Sequence, residues 1–156
     1  MSLNFKYQFK ESMTTSDSIS TKETFLSSLL LELIEILRDR QGETWAAIAL
    51  IATGKSATIA IDDTRLFLQV DQDLVVTVSK AEAEASNDFE SNGITLKNVI
   101  FGRSSLDKSV ASGKIFIRAS FGDLLKIRTI VASVLADTVN EPRLASLWQR
   151  FDQEWN

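Results

Sequence analysis

Hydrophobic and polar residues alternate strictly over positions 3–10, with Leu3, Phe5, Tyr7 and Phe9 on one side and Asn4, Lys6, Gln8 and Lys10 on the other. That is the period of a half-buried strand. The Ser/Thr-rich stretch "ESMTTSDSIST" follows as a connector, so residues 1–20 read as an arm that can pair with its own sheet or with a neighbour's. From Thr21 the period lengthens: Phe25, Leu29, Leu33 and Ile36, joined by Leu26, Leu30 and Leu37, form the broad apolar stripe of a helix. Ser20 or Thr21 suits its N-cap, Arg38 and Arg40 suit the negative end of its dipole, and Gly42 is the expected stop.

"TWAAIALIAT" carries two signals. Its alanines favour helix, while a short apolar run bounded by Gly42 and Gly54 suits a buried strand. The β-rich sequence that follows decides for a strand. "SATIAI", "RLFLQV" and "LVVTVS" are short and rich in β-branched residues, and "DDT" and "DQD" separate them with turn chemistry. Four antiparallel strands in a meander are expected. The acidic segment around Glu82, Glu84, Asp88 and Glu90 breaks the pattern and reads as a loop or a frayed helical turn. "ITLKNVIFG" and "SLDKSVASG" predict two short helices closed by glycines, with Ser105 capping the second, and "KIFIRASF" predicts a last strand. A helix from Asp123 and another from Pro142 complete the chain. The expected fold is α+β, a mostly antiparallel five-stranded sheet covered by helices, as one domain over residues 21–156.

Composition narrows the chemistry. The chain has 156 residues, enough for a sizeable core, and neither Cys nor His. Disulfides, thiolate metal sites and imidazole catalysis are thereby excluded. Seventeen basic and twenty-one acidic residues give a net charge of -4, and their interspersion along most of the chain predicts little electrostatic footprint for nucleic acid or anionic membrane. No apolar run is long enough to span a bilayer and no secretory signal opens the chain, so a cytoplasmic protein without stable membrane insertion is expected.

Several short stretches carry candidate chemistry. "TGKS" at 53–56 matches the end of a phosphate-binding loop, but position 49 is Ala where that loop needs glycine, and strand-like sequence follows. A hairpin turn is the better reading. Asp62 with Asp63 and Asp71 with Asp73 could bind a hard cation, yet both pairs fall between strands, where Asp serves turns; no metal is expected. Ser104, Ser105, Ser109 and Ser112 lack a histidine partner; a pairing with Lys108 or Lys114 is the remaining nucleophile arrangement, but no flanking residues match a nucleophile elbow, so the serines read as caps and solvated side chains. Trp148, Phe151 and Trp155 align on one face of the last helix, where they would pack on the core, close over a ligand, or form a dimer surface.

The stretch "ITLKNVIFGRSSLDKSVASGKIFIRASFGDLLKIRTIV" resembles the C-terminal half of the sterol carrier protein 2 family. There a short helix ends in Gly, a second ends in a Gly-Lys step, an alternating strand follows, and a long helix packs back. Here these are Gly102, Gly113 with Lys114, residues 115–118, and the helix from Asp123. Gly122 is displaced from the family's pattern, and the acidic stretch and aromatic C-terminal helix have no counterpart in it. The resemblance implies an apolar cavity between sheet and helices and a non-catalytic carrier of a fatty acyl, isoprenoid or sterol-like ligand, with no cofactor. The expected lining is Leu66, Leu68, Val76 and Ile117 from the sheet and Val110, Leu124, Ile127, Val131 and Trp148 from the helices. The alternative is a protein interaction or homodimerisation module with the cavity filled. Gly113 and Gly122 are expected to permit sharp turns between helix and strand.

Overall fold

The computed structural model describes residues 20–156, and the expected strand at 3–10 lies outside them. Helix α1 (Thr21–Arg40) starts in a reciprocal cap: Ser20 Oγ accepts from the Glu23 amide at 3.0 Å, and the Ser20 amide donates to Glu23 Oε1 at 2.8 Å. Gln41, not Gly42, ends it in the left-handed conformation, with φ 53°. Gly42 instead sits at the N-cap of α2 (Glu43–Ala52).

Helix α2 is the first correction, since its sequence "TWAAIALIAT" predicts a strand. The run has no alternation to suit a half-buried sheet, and four alanines favour helix when a partner surface is at hand. That surface is helix α5 (Phe121–Asp137), on which α2 packs. Thr44 fixes the pair by donating to Asp137 Oδ2 at 2.7 Å and meeting Ser133 Oγ at 2.6 Å.

The sheet contains β1 (Ser56–Ile61), β2 (Thr64–Val70), β3 (Val76–Lys80), β4 (Phe89–Ser91) and β5 (Ile115–Ile117), in the order β3-β2-β1-β4-β5. Strands β1, β2 and β3 form an antiparallel meander and β4 pairs antiparallel with β5, but β4 runs parallel to β1. The sheet is therefore mixed, where a mostly antiparallel one was expected, and its meander has three strands instead of four. The remaining strand comes from the end of the acidic segment. Arg65 pins that crossover: Nε donates to Asn87 Oδ1 at 2.9 Å, Nη1 to Glu82 O at 3.0 Å, and Nη2 to Ala85 O. Asp88 Oδ2 then accepts from the Thr58 amide at 2.8 Å, which sets β4 beside β1.

One face of the sheet presents Ile59, Ile61, Leu66, Leu68, Val70, Val76, Val78 and Phe89 in matching register. Helices α1 and α6 (Pro142–Glu154) cover it with Leu26, Leu29, Leu31, Leu147, Phe151 and the adjoining Trp155. A second cluster of Ile36, Leu37, Trp45 and Leu144 joins α1, α2 and α6. Helices α3 (Gly93–Ile100) and α4 (Leu106–Ala111) link β4 to β5, and a 3-10 turn (Thr138–Asn140) links α5 to α6. Glycines follow both short helices as expected, Gly102 at φ 75° and Gly113 at φ 80°. Gly122 differs: it lies in the first turn of α5 without a positive φ.

Candidate functional site

The nine residues expected to line a cavity do not come together. Leu66 and Val76 are buried in the main core, Leu68 packs against it, and Trp148 bridges both clusters while its Nε1 donates to Thr138 Oγ1 at 2.9 Å. These side chains are occupied by the fold. Ile117 is half-buried on β5, opposite Phe89. Val110, Leu124, Ile127 and Val131 form a separate group, all half-buried on α4 and α5. The expected enclosed cavity between sheet and helices gives way to a filled core, because α1 and α6 supply enough large side chains to close that layer.

What the structure does bring together is Val110 and Leu124, in a hollow of about 230 Å³ between α4 and α5. Leu106, Ala111, Phe121 and Leu125 complete its apolar lining, and Asp107 and Arg128 stand at it as an ion pair at 3.3 Å. Local chemistry builds both walls. Ser105 Oγ caps α4 by accepting from the Lys108 amide at 3.1 Å. Gly113 turns the chain out of α4 at positive φ so that the Lys114 amide donates back to Ser109 O at 2.9 Å. Ser120 Oγ caps α5 by accepting from the Asp123 amide at 3.1 Å.

The second wall is unusual for an apolar helix. Although α5 carries Leu124, Ile127, Ile130, Val131, Val134 and Leu135, none of its residues is fully buried. Its apolar side chains are only partly covered by the elements around them. At 230 Å³ the hollow is below the ~300–1,000 Å³ of typical small-molecule sites. Phe121, Leu125 and Arg128 are not among the residues expected from sequence; their spacing at i, i+4 and i+7 was the available signal.

A second hollow, of about 330 Å³, is polar and lies at the β1–β2 turn, lined by Asp62, Asp63, Arg65, Asn87, Glu90 and Lys114 among others. Asp62 serves the fold there: its Oδ2 accepts from the Gly93 amide at 3.1 Å and from Trp155 Nε1 at 2.9 Å. Asp71 Oδ1 similarly accepts from the Asp73 and Val75 amides at 2.8 and 2.9 Å, the turn role its position suggested. Among the described residues no group of acidic side chains is arranged to hold a metal ion. Gly54, at φ 73°, joins α2 to β1, so "TGKS" is a helix-to-strand turn where a hairpin was expected.

Electrostatics are strongest away from both hollows. Arg143 holds Glu141 with a bidentate pair of hydrogen bonds, Nε to Oε2 at 2.7 Å and Nη2 to Oε1 at 3.0 Å, and reaches Asp39 Oδ2 at 2.9 Å. The Arg143 hydrogen bonds, helped by one from Arg40, pull the Glu141 carboxyl down to about 2 against the partial desolvation that opposes them. Arg40 also pairs with Asp137 at 3.6 Å, so this cluster clamps the ends of α1 and α5 to the start of α6.

No helix among the described residues is long and apolar enough to cross a membrane. No family model, curated protein or solved structure matches the chain.

Proposed function

We propose that the protein is a non-catalytic carrier or binding protein for an apolar, lipid-like ligand, whose hydrocarbon part lies against α4 and α5. The observation that carries this reading is the α4–α5 hollow, walled by a helix whose apolar residues are all left incompletely covered. The resemblance to the sterol carrier protein 2 family implies the same ligand class, although it places the cavity between sheet and helices and the hollow lies between α4 and α5. The two short glycine-closed helices, the Gly113–Lys114 step, the alternating strand and the long returning helix occur in the order the resemblance implies. Each ligand methylene taken from water contributes about 0.8 kcal/mol, so shape and burial suffice for affinity without a catalytic group.

The interaction-module reading has its own support: the main core is filled, and Leu50 and Val139 are 90% and 84% exposed. Its use of the Trp148 helix as the contact loses ground, because Leu144, Leu147 and Phe151 of that helix, and Trp155 at its end, are buried within the chain. Denaturing the purified protein, extracting it with organic solvent and identifying co-purifying lipid by mass spectrometry separates the two readings. A uniform stoichiometric lipid is the expected result. An extract that stays empty after incubation with mixed lipids overturns the carrier reading in favour of the interaction module.

A further inference from the structure

We infer that the surface formed by α4, β5 and the start of α5 is a docking face for an anionic lipid bilayer. The first ground is charge segregation. Nine charged residues lie between Asn92 and Asp137, and seven of them are basic, in a chain whose net charge is -4. The interspersion seen along most of the chain fails here, as it does with the opposite sign in the acidic segment before it. Arg128 lines the α4–α5 hollow, and Lys108 on α4 and Lys126 on α5 belong to the helices that wall it; Lys114 stands at the polar hollow with Asp62, Asp63 and Glu90.

The second ground is apolar exposure in the same stretch. Of the seven large hydrophobic residues exposed among the described residues, three belong to these elements: Phe116 on β5, and Phe121 and Leu125 on α5. Phe121, 76% exposed at the first position of α5, stands at the hollow with Leu125. An aromatic residue among lysines and arginines is the combination that a headgroup layer rewards: the ring enters the acyl boundary and the cations meet phosphates.

The cations are available for that purpose. Lys108, Lys114 and Lys126 are in no ion pair among the described residues. The Arg128–Asp107 and Arg118–Asp88 pairs are solvent-exposed at 3.3 and 3.6 Å, and such surface pairs are worth little and exchange readily. The face gains a purpose from the carrier reading, since it would set the hollow against the source of an apolar ligand. Docking itself is measured without any ligand, so an empty lipid extract leaves it standing and a failure to dock leaves the carrier reading standing.

The test is flotation of the full chain with vesicles of phosphatidylcholine alone and of phosphatidylcholine with one third phosphatidylglycerol, at low and high salt. Binding to the anionic vesicles, weakened by salt and by about five-fold for each cation neutralised in Lys108→Gln and Lys126→Gln, is the expected result. Phe121→Ser should weaken it as well without loss of circular dichroism signal, because the ring is exposed in the free protein. Phe121→Trp should shift its added emission to the blue on vesicles. Equal binding to both vesicle types, or unchanged binding of the Phe121 and lysine variants, overturns the proposal. So does binding to an oligonucleotide but not to vesicles, or self-association that depends on these same residues.

Discussion

Asp62, at the β1–β2 turn, accepts a hydrogen bond from the indole Nε1 of Trp155 at 2.9 Å, across 93 positions of sequence. The same carboxylate oxygen accepts from the Gly93 amide at 3.1 Å, so one side chain joins the hairpin, the start of α3 and the end of the chain. Asp62→Ala leaves the buried indole and the amide without their acceptor. It should destabilise the protein by about 1–3 kcal/mol in urea unfolding, with Asp62→Asn less costly. Equal stability of wild type and Asp62→Ala would show that water replaces the carboxylate at no cost.

At Gly93 the indole of Trp155 occupies the space a side chain would need. A Cβ there would stand 2.6 Å from the indole Cδ1 and 2.7 Å from Nε1. Gly93→Ala should therefore cost about 1–3 kcal/mol by forcing the ring out of its place. Trp155→Leu in the same background should recover part of the loss, a non-additivity that a thermal-melt double-mutant cycle reads directly.

Gly113 is a contrasting case, with φ 80° and nothing within 4 Å of the place a Cβ would take. Gly113→Ala should lower stability by about 1–2 kcal/mol through backbone conformation alone. Gly122→Ala, in a helical turn with the same open surroundings, should be neutral or slightly stabilising. A melt that ranks the two the other way would refute the assignment of the turn to Gly113.

Glu141 sets an acid limit. Its carboxyl is held at about 2 instead of the ordinary 4.5, chiefly by hydrogen bonds from Arg143. A depressed acid stabilises the fold above its unfolded pKa and loses that contribution as pH falls through the folded one. Wild type should lose stability progressively between about pH 4.5 and pH 2, and Glu141→Gln should show a shallower fall over that window. Parallel pH profiles for the two proteins would contradict the role given to this carboxylate.

Val110→Phe tests the hollow without adding a polar group. Filling space otherwise available to hydrocarbon should reduce co-purifying lipid by about four-fold for each methylene displaced, with the fold intact by circular dichroism. Unchanged lipid content would place the ligand elsewhere.

Much of the fold is legible in the sequence where local chemistry and burial agree. The capped stripe of α1, the β1–β2–β3 meander, the serine cap and glycine exit of α4, and the aromatic face of α6 follow from side-chain period and backbone preference. The segment at α2 escapes that logic because an uninterrupted apolar run has no period to choose between helix and strand; α5 supplies the covering surface that decides it. Strand β4 is illegible for a related reason. Its three residues carry no pattern, and their place beside β1 comes from Arg65 and Asp88, which act across the sheet.

The candidate site divides along the same line. Val110 and Leu124 can be named from spacing as apolar helix residues, whereas Leu66, Leu68 and Val76, apolar at strand spacing, and Trp148, at helical spacing, are consumed by the core. Periodicity reports that a side chain is apolar and which way it faces along its own element. By itself, then, the amino-acid sequence determined the α+β class, the capped helices and the absence of cysteine and histidine chemistry. Only the tertiary structure decided the mixed sheet, the filling of the central layer and the opening of a hollow at α4 and α5. Those outcomes depend on how the volumes of distant side chains add up between elements, a quantity no local pattern contains.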